Sequence, residues 1–318
     1  MSQPPELPEI GVRVSLRYLR PPGSEPPMGD VIGQLVATGP LVRIRSADGV
    51  IHECRHADVL YVRWLTDRPV KNSTIRSVEH AAALAWPGSE HQWLDGWILR
   101  AGPGADLAAN SAVPLDRFAH TNTIPAIIDW YAQRGLPPYL AVPERLLRLP
   151  EDIATRHETR TLVCDIVAAG AAPGDVATAA GPDADWLAVY RGGAAPVEVL
   201  TAVVDGEAIF ASIPGVAAGR GTVTEGPDGT RWLGLTEVRV ADDHRRQGHG
   251  RRICAALQSW GADRGATRGY AQVPTGGSAS PGTGAFEFFE AIGFAGQHRT
   301  RYIDARLLAR GSSPSNAL

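Results

Sequence analysis

The stretch Val238–Arg252 (Val-Arg-Val-Ala-Asp-Asp-His-Arg-Arg-Gln-Gly-His-Gly-Arg-Arg) constrains the fold more than any other part of the chain. Ahead of it, Leu233, Leu235, Val238 and Val240 form a strand-like apolar run. After it, Ile253, Leu257 and Trp260 fall at helical spacing, and Gly265 stands as a C-terminal stop. The pattern predicts a strand, a tight glycine turn and a helix. The backbone N–H groups of Gly248, His249 and Gly250 would be unpaired donors at the helix start, where the helix dipole is positive and suits a pyrophosphate. Glycine lets a phosphate touch bare backbone. Taken alone, such a turn can also be an ordinary connection. No Lys-Ser/Thr follows the glycines, which excludes a nucleoside triphosphate loop. Their spacing, with no acidic residue on a next strand, excludes a dinucleotide fold.

The elements that follow narrow the choice. Arg268–Val273 reads as a strand, 274–284 as a Pro/Gly/Ser loop and Ala285–Ile292 as a short helix ending at Gly293. Phe294 begins a last strand. This order, with Arg245-Arg-Gln-Gly-His-Gly250, resembles the core of the GNAT superfamily of acetyl-CoA-dependent N-acetyltransferases. The resemblance covers 232–305 and, more loosely, 186–231. It implies that Arg245, Arg246, Gln247, Gly248, His249, Gly250 and Arg251 grip the pyrophosphate of acetyl-CoA. It also implies that the backbone of Val238, Arg239 and Val240 pairs with the pantetheine arm, and that the acceptor is a primary amine.

Composition sets bounds. The chain has 318 residues, 44% of them hydrophobic, enough for two or three domains. A net charge of −3 gives no global pull toward nucleic acid or anionic membrane. Cys54, Cys164 and Cys254 are odd in number and form neither a metal spacing nor a disulfide framework, pointing to a reducing cytoplasm. No stretch of 18 apolar residues appears, and the N-terminus lacks a basic-then-apolar signal.

Residues 10–64 alternate in short runs, with an expected hairpin at Asp48-Gly49. They suggest a small SH3-like β-barrel over 1–66. Its seven Arg and seven Asp/Glu argue against a phosphate-tracking, nucleic-acid-binding surface. An accessory module is the simpler reading.

The expected fold is α/β (α+β): this barrel, followed by tandem GNAT-like mixed sheets with flanking helices. In 67–168 a helix at 74–86, strands at 96–100 and 108–113, a helix at 122–134 and strands at 139–142 and 159–166 repeat the C-terminal order. Pro114–His120 has no glycine where the turn would be, so this half is degenerate. Gly96–Arg100 and Ala109–Ser111 also resemble an actinobacterial group that joins an SH3-like barrel to an acetyltransferase. Its members are labelled histone acetyltransferase-like or N-acetylglutamate synthase-like. Residues 169–184 read as a linker, 185–310 as the acetyl-CoA-binding domain and 311–318 as a disordered tail.

Acetyl transfer to an amine needs a base, because a lysine-type amine has a pKa of about 10.4. Glu237, on the strand feeding the turn, stands where relatives often carry a glutamate base. The alternative is a structural partner for Arg239 or Arg231. His298 and Asp304 are further candidates, although a lone histidine is more often structural. The leaving thiolate is where the chain departs from the pattern. Relatives carry an Asn and, seven residues later, a Tyr acid; here those positions are Gly282 and Phe289. Tyr270, Tyr302 or a water are substitutes. Two readings follow: an enzyme transferring acetyl by direct attack in a ternary complex, or a non-catalytic acyl-CoA sensor whose barrel docks a partner. Acceptor loops are expected at 214–231 and 274–284.

Overall fold

The computed structural model describes residues 4–5, 7–8, 10–46, 49–65, 70–102, 104–150, 152–167, 174–190, 196–275 and 284–309. The chain forms two compact units, Met1–Pro69 and Val70–Leu318. The first is a five-stranded antiparallel sheet of β1 (Arg13–Leu19), β2 (Met28–Ala37), β3 (Leu41–Ser46), β4 (Ile51–Arg55) and β5 (Val59–Leu65), in the order β4-β3-β2-β1-β5. Alternation puts Val14, Leu16, Val31, Leu35, Val42 and Ile44 on one buried face. Asp48 of the expected hairpin lies outside the described residues.

The second unit opens with α1 (Asn72–Ala85), β6 (Glu90–Leu94), β7 (Trp97–Ala101), β8 (Val113–Pro114), α2 (Ile124–Ala132), β9 (Tyr139–Pro143) and β10 (His157–Asp165). The expected strand at 108–113 shrinks to β8. Ala108–Asn110 instead turn, tied by the Asn110 side chain to the backbone of Gly102, Ala105 and Asp106. Next come β11 (Ala177–Ala179), α3 (Ala184–Tyr190), α4 (Val197–Thr201), β12 (Glu207–Ile213) and β13 (Ala217–Glu225). So the expected linker contains a strand, and the expected acceptor loop at 214–231 is largely a strand. The chain closes with β14 (Arg231–Val240), α5 (His249–Asp263), β15 (Arg268–Pro274), α6 (Ala285–Ala291), β16 (Ala295–Asp304) and α7 (Arg306–Ala309).

The halves read separately in the sequence share one eight-stranded sheet, ordered β11-β12-β13-β14-β15-β10-β16-β9, while β6, β7 and β8 form a small sheet of their own. β10 sits between β15 and β16 because it offers antiparallel edges to both. Every neighbouring pair is antiparallel except β14 and β15, whose parallel pairing requires the α5 crossover.

The side chains of β13 show how the layers lie. Ala217, Gly219, Gly221 and Val223 face α5: a Cβ on Gly219 would lie 2.5 Å from Ile253 Cγ2, and one on Gly221 2.9 Å from Leu257 Cδ2. Arg220 and Thr224 face the other way, donating to the Ala85 and Ala81 carbonyls of α1. α1 and α5 therefore cover opposite faces. The α5 face is apolar, with Leu162, Leu233, Leu235, Ala271 and Val273 beneath the helix. The α1 face is polar and buried, carrying Thr159, Thr161, Arg220, Thr222, His298 and Thr300. Among the described residues no helix is long and apolar enough to cross a membrane. A side chain at Gly219 would drive into α5, so Gly219→Val is expected to cost about 1–3 kcal/mol, read as a lower urea midpoint at unchanged slope.

Candidate active site

The parallel pairing of β14 and β15 is short. Only Trp232, Gly234 and Leu233 register with Arg268, Tyr270 and Gly269. Beyond Gly234 the strands part. On its other side β14 stays bonded to β13 as far as Val240, with one irregularity: Ala218 faces Arg239 and Arg220 faces Thr236. Gly219 thus opposes both Glu237 and Val238, a β-bulge. Glu237 takes the extra turn, at φ 51°.

The parting leaves a cleft of about 800 Å³. Leu235 through Arg239 form one wall and Tyr270, Gln272, Val273 and Pro274 the other, with Ala285 and Phe289 and the α1 residues Glu79, Ala82 and Ala83 completing the lining. Among the described residues no backbone hydrogen bond occupies the β14 edge from Thr236 to Val240 on the cleft side.

The chain leaves β14 through a short 3-10 turn, Asp242–His244, and enters α5 at His249. Gly248 caps the helix at φ 87°, a left-handed conformation that glycine adopts without strain. Gly250 has a second reason to be glycine, since a Cβ there would lie 3.3 Å from the Phe288 ring. The backbone N–H groups of Arg246, Gln247, Gly248, His249, Gly250 and Arg251 have no hydrogen-bond acceptor among the described residues. Six free donors at a positive helix end form a ready anion site.

The side chains of the turn are less uniform. Arg245 pairs with Asp242 at 2.7 Å, and Gln247 donates to the Asp243 carbonyl. Arg251 donates to the Ala291 carbonyl at the end of α6, and Arg252 pairs with Asp175. Arg246 is exposed, at φ 64°. Val238 and Val240 pack on the α5 side. Arg239 lies over the Tyr190 ring at 5.2 Å and pairs with Glu237 at 3.0 Å. The turn therefore opens on the α5 side, while Glu237 and Arg239 belong to the α1 side. The cleft between β14 and β15 connects the two.

Burial raises the Glu237 carboxyl above the ordinary carboxylate range; Arg239 and Arg220 oppose the shift and Asp106 adds to it. Next to it stands Arg220, fully buried, with no carboxylate within 4.0 Å among the described residues. Its guanidinium donates to the carbonyls of Leu200 (2.6 Å), Ala85 (2.9 Å) and Ala202 (3.1 Å) and lies 4.4 Å from the Trp86 ring centre. Burial lowers its pKa to about 10, which still leaves it charged at neutral pH.

Of the other sequence candidates, Asp304 pairs with Arg306 at the exposed end of β16, away from the cleft lining. His298 lies within β16 rather than after it, and is buried against Glu79. Phe289 is buried and borders the cleft, and Gly282 lies outside the described residues. Tyr270 and Tyr302 both line the cleft. Burial raises both phenols, Tyr302 to about 12, so each holds its proton at neutral pH. Sequence reasoning missed Glu79. Its signal is a lone carboxylate on the apolar face of α1, between Val78 and Ala81.

Residues 72–303 match the family described as "Probable histone acetyltransferase Rv0428c C-terminal". The chain belongs to this family. Residues 8–63 match the "Rv0428c N-terminal Sm-like domain", which corresponds to the five-stranded unit. Over 300 residues the chain is 49% identical to the "Probable histone acetyltransferase Rv0428c" of Mycobacterium tuberculosis, covering 94% of this chain and 96% of that protein. Similar solved structures include a GCN5-related N-acetyltransferase from Kribbella flavida (16% identity, TM-score 0.47, 70% of this chain and 94% of that one). Another is a GCN5-related N-acetyltransferase from Sphaerobacter thermophilus (12% identity, TM-score 0.35, 65% and 79%). In this member of the Rv0428c family, Arg220 joins α1, α4 and β13. Arg220→Ala strands three carbonyls, so it is expected to cost about 3 kcal/mol or more, measured by urea unfolding.

Proposed function

We propose that the chain is an acetyl-CoA-dependent N-acetyltransferase that acetylates a primary amine by direct attack in a ternary complex. The observation that carries this reading is the run of six unpartnered N–H groups from Arg246 to Arg251 at the start of α5, in the segment that follows a β14 strand whose cleft side has a free backbone edge. The run suits the pyrophosphate, and the backbone of Val238, Arg239 and Val240 suits an extended pantetheine arm. Arg245, Arg246 and Arg251 add positive charge around the phosphates. Membership of the Rv0428c family supports acetyl transfer.

The amine attacks the thioester carbonyl carbon, the C–S bond breaks, and CoA leaves as a thiolate that takes up a proton. Glu237 receives the proton the amine loses. Its raised pKa brings it closer to the amine's, which suits a general base. A covalent cysteine route lacks support: burial lifts the Cys164 and Cys254 thiols to about 11 and 12, so neither is a thiolate at neutral pH.

Phe289 favours a second reading, a non-catalytic acyl-CoA-binding protein, because a phenylalanine on the cleft cannot protonate the thiolate. The cleft phenols Tyr270 and Tyr302 are the groups able to do so in its place.

Calorimetric titration with acetyl-CoA, against CoA and ATP, tests the cofactor site. Binding of acetyl-CoA that ATP does not match is expected; no binding removes the enzyme reading. Glu237→Gln is expected to lower kcat by about 10²–10⁴ with acetyl-CoA binding intact. A base must be unprotonated, so activity should fall as pH drops through the Glu237 pKa. That acid limb is expected above the ordinary carboxylate range and should vanish in the variant. Phe289→Tyr separates the two readings: a faster enzyme supports catalysis, and no turnover in either form with binding intact supports the sensor.

A further inference from the structure

Glu79 is a buried carboxylate that the acetyl-transfer steps above leave unused. It projects from α1 onto the polar face of the sheet, with its side chain 5% exposed. Three donors from three strands converge on one of its oxygens. Thr161 Oγ1 of β10 lies 3.1 Å from Oε1, Gln272 Nε2 of β15 lies 2.9 Å away, and His298 Nε2 of β16 lies 2.9 Å away. A carboxylate only accepts, so all three donate to it. The His298 ring is held on its far side by Gln297 Oε1, 3.0 Å from Nδ1.

The other oxygen, Oε2, has no hydrogen-bond partner among the described residues, and Glu79 lines the cleft. Four elements thus fix one oxygen and leave the second free at a cavity. The free oxygen reaches the cavity, where a ligand that brings a cation can pair with it while the rest of the carboxylate stays buried. Burial pushes the Glu79 carboxyl up, but the bonds from His298, Thr161 and Gln272 and the attraction of His298 outweigh it. The group lies below the ordinary carboxylate range and is ionised at neutral pH.

The position matters as much as the charge. Glu79 and Glu237 both line the cleft, and both belong to the α1 side of the sheet. The glycine turn opens on the α5 side, so the α1 side is left for the acceptor. The cleft lining includes the aliphatic side chains of Ala82, Ala83, Leu107, Val113 and Ala141, beside the polar ones of Arg100, Arg156 and His157. An amine seated on an ionised, buried carboxylate keeps its proton and cannot act as nucleophile. The group on Glu79 is therefore not the one that is acetylated.

We infer that Glu79 is the anchor for a second, non-reacting ammonium group, and that the acceptor is a dibasic amine with an aliphatic span between its two nitrogens. One nitrogen loses its proton toward Glu237 and reacts, while the other stays charged on Glu79 Oε2. Thr161, Gln272 and His298 are positioning residues that hold the carboxylate. The inference rests on the acetyl-transfer reading for the fate of the first nitrogen, but the anchor itself can be read without acetyl-CoA.

The test uses the full chain and calorimetry at pH 7.5. Linear α,ω-diamines of three to eight carbons are each compared with the amino alcohol of matching length, and lysinamide serves as the amino-acid-derived dibasic probe. At the best chain length the diamine is expected to bind at least about tenfold more tightly than its amino alcohol. Whether lysinamide or the linear diamine binds better distinguishes the two sources of the dibasic group. Glu79→Gln keeps an oxygen for the three donors and replaces the free one by NH₂, so it should abolish the preference without changing acetyl-CoA affinity. Asp106→Asn, at another carboxylate of the cleft, should retain it. Equal binding of diamine and amino alcohol by the natural protein at every length overturns the proposal, even if Glu79→Gln does not fold. A preference that survives in folded Glu79→Gln, or that disappears in Asp106→Asn instead, also overturns it. Failure of acetyl-CoA to bind in a separate titration counts against the transferase reading and leaves the diamine comparison to decide the anchor.

Discussion

Two strands that run parallel for three residues and then separate set the geometry of this protein. A parallel pair in an otherwise antiparallel sheet cannot be joined by a hairpin, so the chain must cross over through α5. The crossover starts where β14 ends, which places a helix N-terminus and its unpaired donors beside the opening. The bulge at Glu237 and Val238 bends β14 away from β15 while it remains bonded to β13. A gap in the middle of a sheet would ordinarily waste backbone hydrogen bonds, and it persists here because both outer flanks are secured. β13 holds β14, and β10, drawn from earlier in the chain, holds β15.

The two faces of the sheet divide the remaining work. On the α5 side, Leu233, Leu235, Ile253, Leu257 and Phe294 form a continuous apolar core. On the α1 side, two buried arginines are satisfied mainly by backbone carbonyls. Arg220 gives its hydrogen bonds to carbonyls at the end of α1 and around α4, and Arg100 does the same for Ser111 and Trp86. Such groups are expensive to bury and are stable only as a complete set. They keep α1 and the surrounding loops at a fixed height above the sheet, and this fixes the depth of the cleft.

Two carboxylates then share one cavity under unlike conditions. Glu237 has a strained backbone, a single arginine partner and a raised pKa. Glu79 has three donors on one oxygen and a lowered pKa. Environments that separate two acids in this way suit them to different tasks, one to exchange a proton and one to remain charged.

The local elements around the glycine turn were legible in the sequence because their signals are local. Apolar spacing marks α5, Gly248 marks its cap, and Gly265 and Gly293 mark the ends of two helices. The five alternating strands of the first unit were legible for the same reason. The pairing was not. Nothing between His157 and Asp165 says that this strand will lie between β15 and β16, more than a hundred residues later, because strand neighbours are chosen by long-range complementarity. The glycines of β13 read as a loop, yet they are there because α5 presses on that strand. Glu79 looked like an ordinary residue of an alanine-rich helix until folding brought Thr161, Gln272 and His298 to it. A side chain's chemistry is written in the sequence, but its neighbours, and so its protonation and its role, are decided only when distant segments meet.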